Sequence, residues 1–182
     1  MEAKVIERQS SSFVLWHGIV GGIITGIIFF VYQMYASAAI FGSAYVYPKV
    51  LGSLVLGSPV ITPFNPLNFD MLVAIILRLA FSMIFGVAFV SLLSTFQQTC
   101  SPWWALYAYG AIFGTGVWLV SYLVLGLTLF PQLLALNQFW MGFLPHAAII
   151  GLGLAVYVSL VRYAPRGVFN PSYRVCYVGT SV

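Results

Sequence analysis

Three ionisable side chains in long apolar stretches are the residues of this sequence that could do chemistry. Arg78 lies nine residues into one such stretch, His146 lies near the start of another, and Asp70 precedes Arg78 by eight residues. Ionisable residues within a membrane helix are rare and usually functional, since a central Arg costs about 2.5–3.5 kcal/mol on insertion scales. We therefore predict one intramembrane polar cluster of Arg78, His146 and Asp70.

The sequence leaves three alternatives for the partner of Arg78. Its side chain could bond backbone carbonyls and Asp70 within its own bundle, although Asp70 lies about 12 Å away along a helix axis. It could pair with a carboxylate of another subunit, or it could bind an anionic lipid or ligand. The chain has three acids, and Glu2 and Glu7 both lie in the N-terminal tail.

His146 follows Pro145, where an irregular helix could free a carbonyl. A lone membrane His is more often a satisfied structural residue than a ligand, so we predict no resident metal or cofactor. The alternative is an axial ligand to a haem or a chlorophyll-type pigment. A single bis-histidine haem is excluded, because His17 is expected near the opposite face of the membrane.

Catalytic patterns are missing from the sequence. It contains no P-loop, nucleophile elbow, zinc motif or paired carboxylates. No further carboxylate or His continues the polar cluster across the membrane, which argues against a proton pump. We therefore predict that the protein is not an enzyme.

The elements that must position these residues are membrane helices. Of the 182 residues, 62% are hydrophobic and 5% are charged, whereas about a quarter are charged in soluble domains. Crossing about 30 Å of hydrocarbon takes roughly 20 helical residues, and continuously apolar runs exclude β-barrel strands. We predict an all-α bundle of four transmembrane helices forming one membrane domain, 1–182. The expected spans are 13–41, 69–93, 103–125 and 139–161.

The basic residues predict the orientation. Most of them lie before the first span or after the last one. This distribution predicts that both tails, 1–12 and 162–182, are in the cytoplasm of a bacterium and that the spans lie in its inner membrane. This distribution also makes nucleic acid an unexpected partner. The first outer loop, 42–68, contains four prolines and is predicted to be irregular.

Small residues recur every four positions in the spans and predict tight helix packing, because close backbone approach drives helix association in lipid. The predicted packing residues are Gly18, Gly22, Gly26, Ser82, Gly86, Gly110, Gly114, Ala147, Gly151 and Ala155. The first and third spans have similar glycine patterns, so the bundle could consist of two duplicated helical hairpins. The alternative is that glycine-rich helices look alike.

The four-span plan resembles small uncharacterised bacterial membrane proteins with glycine-striped helices and a His near the start of the last span. The residues that carry the resemblance are Gly18, Gly22, Gly26, Ser82, Gly86, His146 and Gly151. The sequence departs from that pattern where Arg78 replaces an expected His. The resemblance implies no activity.

We expect a non-catalytic accessory subunit of a larger integral-membrane complex, of respiratory or photosynthetic type and thus linked to electron transport. Its expected partners are other membrane subunits and lipid, with lipid bound. The alternatives are a small oligomeric transporter or channel, and a subunit that holds a pigment or haem.

Overall fold

The computed structural model describes most of the membrane-spanning part of the chain. The described residues are 11–57, 69–96, 101–128, 134, 141–163 and 174–175. The predicted cytoplasmic tails fall mostly outside these ranges, as does the second part of the predicted outer loop 42–68, from 58 to 68.

Four helical spans cross the structure, each long and apolar enough to traverse a membrane, and the predicted all-α bundle is confirmed. Span 1 is helix α1 (Ser11–Phe41) and span 2 is helix α3 (Phe69–Phe96). In the most apolar 18-residue segment of each span, at most 44% of the residues are buried. The exposed remainder is largely apolar, as a lipid-facing surface requires.

Spans 3 and 4 are less regular than the first two. Span 3 consists of α4 (Trp103–Trp118), a π-helical segment π1 (Leu119–Val124) and α5 (Leu125–Thr128). Span 4 consists of a short turn α6 (Phe143–Pro145), a π-helical segment π2 (His146–Leu152) and α7 (Gly153–Tyr163). Its helix begins at Phe143, four residues later than predicted.

Spans 1 and 2 form a hairpin through contacts between their backbones. A Cβ atom added to Gly18 would lie 2.5 Å from Cα of Val87, and one added to Gly86 would lie 2.9 Å from Cα of Gly22. Gly26 lies against the side chain of Ser82 in the same way. Only glycine allows this separation, so the stripe predicted in span 1 faces span 2.

Spans 3 and 4 form a second hairpin with the same construction. A Cβ atom added to Gly151 would lie 3.1 Å from the amide nitrogen of Gly114, and one added to Gly110 would lie 2.9 Å from Cβ of Ala155. Ala147 is only half-buried. Glycine contacts of the same kind thus occur within both hairpins. That the hairpins arose by duplication stays a prediction.

The two hairpins meet mainly along spans 1 and 4. Thr25 of span 1 contacts Gly153 of span 4, where an added Cβ would lie 3.0 Å from its methyl group. Phe29, Ile150 and Leu154 are almost fully buried in the core between the hairpins. Spans 2 and 3 contact each other far less than the helices within either hairpin, which leaves an opening between them.

The prediction that the first outer loop is irregular was wrong for its first part, which forms helix α2 (Val46–Leu56). Pro48 occupies the first turn of α2, where a missing N–H costs no intrahelical bond. Helix α2 packs on span 2, with Gly52 close to the backbone of Asp70. The Lys49 side chain is fully buried, and its Nζ lies 3.9 Å from Oδ2 of Asp70.

A short antiparallel pair joins Ser101–Pro102, just before span 3, to Arg174–Val175, beyond span 4. The pair brings the connection between spans 2 and 3 and the segment after span 4 to the same end of the bundle. An even number of spans requires this arrangement.

We predict that Gly86→Ala lowers the free energy of unfolding by about 1–3 kcal/mol, because the new methyl group would overlap backbone atoms of span 1. The matched control is Gly116→Ala, whose added Cβ meets nothing within 4 Å. It should be neutral or stabilising, since Ala favours a helix by about 1 kcal/mol over Gly. Thermal unfolding in a mild detergent, followed by circular dichroism, measures both. Equal midpoints for the two variants would contradict the packing.

Candidate functional site: a crevice between the hairpins

A crevice of about 530 Å³ lies between spans 2 and 3 and is bordered by helix α2. Most of its wall is apolar: Val50, Leu51, Leu54, Phe81, Ile84, Phe85, Ala88, Phe113, Gly116, Val117 and Val120. Ile84 and Val120 also have exposed fractions of 60% and 56%. The crevice therefore opens sideways, through the surface of the spans that faces lipid.

Six polar side chains line the crevice, and they come from five separate elements. Gln33 comes from span 1, Arg78 from span 2, Tyr47 from α2, Ser121 and Tyr122 from π1 and His146 from π2. All of them except the half-buried Ser121 are at least 91% buried. Three of the six lie on π-helical segments, which are rare and frequently occur at functional sites.

Arg78 is held by span 1 and not by the predicted acid. Its Nη2 donates a hydrogen bond of 2.7 Å to Oε1 of Gln33, and its guanidinium carbon lies 4.5 Å from the ring centre of Phe29. The bond to Asp70, one of the three alternatives from the sequence, is not formed, because helix α2 brings Lys49 to that carboxylate instead. The predicted cluster is thus divided: Arg78 and His146 come together, whereas Asp70 belongs to the contact between α2 and span 2.

Two N–H groups of this pair have no acceptor among the described residues: Nε of Arg78 and Nε2 of Gln33. The orientation of the Gln33 amide is fixed, because turning it over would put its NH₂ group against the donor Nη2 of Arg78. The pair therefore presents unsatisfied donors in a buried place, where each costs about 1–3 kcal/mol.

The charge of Arg78 is also uncompensated within the described part of the chain. Asp70 is the one acidic residue there, and Lys49 pairs with it. A guanidinium cannot lose its proton to escape an apolar environment. The aromatic face of Phe29 offsets a part of the charge, but it is not an anion.

His146 lies in the first turn of span 4, not about 10 Å along it as the predicted start at 139 implied. Its Nδ1–H donates to the carbonyl of Gly142 at 2.6 Å, so Nε2 is the unprotonated nitrogen of the neutral ring. The ring lies edge-on to Phe29 and Tyr122, with centroids 4.8 and 5.5 Å apart. His146 is thus packed against two aromatic rings and held through Nδ1, and its Nε2 is able to accept a bond.

A chain of hydroxyl groups closes the polar end of the crevice. Pro145 has no N–H to donate to the carbonyl of Met141 four residues earlier, and the Tyr47 hydroxyl donates to that carbonyl at 3.1 Å instead. Because Tyr47 uses its one proton there, the hydroxyl of Tyr122 donates to the Tyr47 oxygen. Burial, and then Tyr122, raises the pKa of Tyr47 well above its usual range, so the phenol stays neutral.

The other histidine lies elsewhere. Nδ1 of His17 is 3.0 Å from the hydroxyl of Tyr157, a contact between spans 1 and 4, and it does not line the crevice. The described residues contain no group of three His, Cys, Asp or Glu side chains that could hold a metal ion. Nε2 of His146 is the atom of the crevice that could ligate an iron or a magnesium, and this role stays a prediction.

Sequence reasoning missed Gln33, Tyr47 and Tyr122. Gln33 had a usable signal, since it lies seven residues, or two helical turns, after Gly26 and so shares the packing face of span 1. The two tyrosines had none, because an interfacial Tyr is ordinary in a membrane protein. Their contact depends on how α2 folds back onto the bundle.

No protein-family model, curated protein or solved structure matches the chain. The resemblance to small four-span bacterial proteins therefore stays a prediction, and the site is interpreted from its own geometry.

We predict that Gln33→Leu lowers the free energy of unfolding by about 1.5–3 kcal/mol, because it removes the acceptor of a buried charged donor. Adding Arg78→Met to the same protein should recover most of that loss, since it removes the unpaired charge. Urea or thermal unfolding of the two single variants and the double variant gives the coupling energy. Additive losses would show that the two side chains do not stabilise each other.

We also predict that Tyr47→Phe destabilises the bundle more than Tyr122→Phe, by about 1 kcal/mol. Loss of the Tyr47 hydroxyl leaves both the Met141 carbonyl and the Tyr122 hydroxyl without their partner, whereas loss of the Tyr122 hydroxyl removes one donor. The same unfolding measurement compares them, and the reverse order would mean that the hydroxyl chain runs in the other direction.

Proposed function

We propose that this membrane protein binds an anionic amphiphile from the surrounding bilayer, with its charged head at Arg78 and Gln33 and its apolar part in the crevice. The single observation that carries the proposal is the buried Arg78 guanidinium at the polar end of an apolar crevice. It has an unsatisfied N–H and no anionic partner among the described residues, where Asp70 pairs with Lys49.

Electrostatics favours an anion over a neutral ligand. A buried charge without a partner is strongly destabilising, and an opposite charge with good hydrogen-bond geometry offsets its desolvation. A ligand oxygen between Nε of Arg78 and Nε2 of Gln33 would satisfy both donors and neutralise the guanidinium. Charge-assisted hydrogen bonds of this kind are roughly twice as strong as neutral ones.

The shape of the crevice favours an amphiphile over a water-soluble anion. Its wall is mostly apolar, and its exposed border, at Ile84 and Val120, belongs to the lipid-facing surface of spans 2 and 3. A molecule that diffuses within the bilayer could enter from the side with its apolar part always in an apolar environment. A soluble anion would first have to cross that surface.

Binding, rather than catalysis, is the role proposed here. A non-catalytic accessory subunit of a larger membrane complex could use such a site to hold a structural lipid. That complex, the bacterial inner membrane and the cytoplasmic location of both termini stay predictions from the sequence.

We predict that protein purified in a mild non-ionic detergent retains an anionic amphiphile that two different variants lose. Gly116→Leu should exclude it by filling open space in the crevice, where an added Cβ meets no atom within 4 Å. Gln33→Glu should displace it by placing a carboxylate of equal size beside Arg78, which balances the charge within the chain. Native mass spectrometry, with lipid extraction and identification, measures occupancy.

The matched control is Ile112→Phe, which adds bulk on the same helix as Gly116 at a residue with an exposed fraction of 68% outside the crevice. It should retain the molecule. The proposal is wrong if the unmodified protein carries no anionic amphiphile, or if well-folded Gln33→Glu protein retains it in full.

A further inference from the structure

We infer that the ligand of the crevice is a single-chain carboxylate, a long-chain fatty acid, and not a phospholipid. The inference rests on the proposed function and concerns the chemical class of the head and the number of chains.

The part of the crevice that would bind the charged head has one unpaired cation, Arg78, and donors suited to two oxygens. The unsatisfied donors lie on Arg78 and Gln33, and the Nη2–Oε1 bond of 2.7 Å fixes one side chain relative to the other. A carboxylate has one negative charge and two oxygens, which matches this set. A phosphate monoester has about 1.5–2 negative charges and three strongly accepting oxygens, and so needs more donors. The phosphodiester of a bilayer phospholipid has a single negative charge, so the number of acyl chains, and not the head, distinguishes a phospholipid from a fatty acid.

Among the described side chains, no second cation lines the crevice that could help to bind a phosphate monoester. Lys49 is the other basic side chain described in this region, but it is fully buried against Asp70 and does not line the crevice. The donors of three other polar side chains are already engaged: Tyr47 donates to Met141, Tyr122 to Tyr47, and Nδ1 of His146 to Gly142. The hydroxyl of Ser121 also lines the crevice, but it carries no positive charge.

The volume of the crevice indicates how many acyl chains the ligand has. A volume of about 530 Å³ is in the range of about 300–1,000 Å³ typical of sites for one small ligand. Such a space suits one acyl chain, and helix α2 borders it through Val50, Leu51 and Leu54. A diacyl lipid would have to leave its second chain and its larger head outside.

The test uses the full chain, delipidated in non-ionic detergent, and three probes with the same sixteen-carbon chain: palmitate, hexadecyl phosphate and hexadecanol. Competition against a fluorescent fatty acid measures their affinities. We expect palmitate to bind at least about tenfold more tightly than either of the others. Hexadecanol forms no charge-assisted bond, and hexadecyl phosphate brings additional negative charge that Arg78 alone does not balance. The ranking is measured on the unmodified protein, so it does not depend on a variant that folds.

A second measurement follows the head group itself. The carboxyl carbon of [1-¹³C]palmitate should titrate at a lower pH when bound than in protein-free micelles, because Arg78 stabilises its ionised form. In Gln33→Glu protein, whose own carboxylate takes that place, the shifted signal should disappear. Ile112→Phe protein should keep it.

The possible results distinguish a failure of the fatty-acid inference from a failure of the proposed function. Equal or tighter binding of hexadecyl phosphate would overturn the fatty-acid inference and leave the proposed function intact. Equal binding of hexadecanol, or an unshifted carboxyl titration, would show that no anion is recognised and would overturn both. Binding of none of the three probes would likewise overturn both.

Discussion

Close contact between glycine backbones is the constraint on which this bundle depends. Lipid gives two apolar helices little reason to associate, so pairing depends on how closely their backbones pack. Gly22 against Gly86, and Gly114 against Gly151, are such contacts, one from each hairpin. Spans 2 and 3 have no comparable contact among the described residues, and the open space between them is the crevice.

Several polar groups within this bundle find partners close by. The Thr25 hydroxyl donates to the carbonyl of Gly21 one turn earlier, and Tyr47 supplies the hydrogen bond that Pro145 cannot give to Met141. In hydrocarbon, water cannot replace these partners. The exceptions among the described residues are the Ser82 hydroxyl and the donors of Arg78 and Gln33, and the proposed ligand would satisfy the last two.

The sequence supported a good prediction of the elements and a partial one of the site. The four apolar runs could be identified because each depends on the composition of its own segment. The missed helix α2 shows the limit of that approach: four prolines indicated an irregular loop, but Pro48 lies in the one turn of a helix that tolerates it. Arg78 and His146 were expected in one cluster, whereas their neighbours Gln33 and Tyr122 were not.

Some properties of this protein follow from the residue order alone: the length and apolarity of the spans, the small side chains at four-residue intervals, and a costly Arg within one span. Other properties are visible only in the folded bundle: Gln33 is the partner of Arg78, Lys49 pairs with Asp70, and a crevice lies beside them. The difference arises because contacts between helices depend on the rotation and axial offset of each helix against its neighbour. Those two quantities are settled by packing of the whole bundle, and no spacing within a single span specifies them.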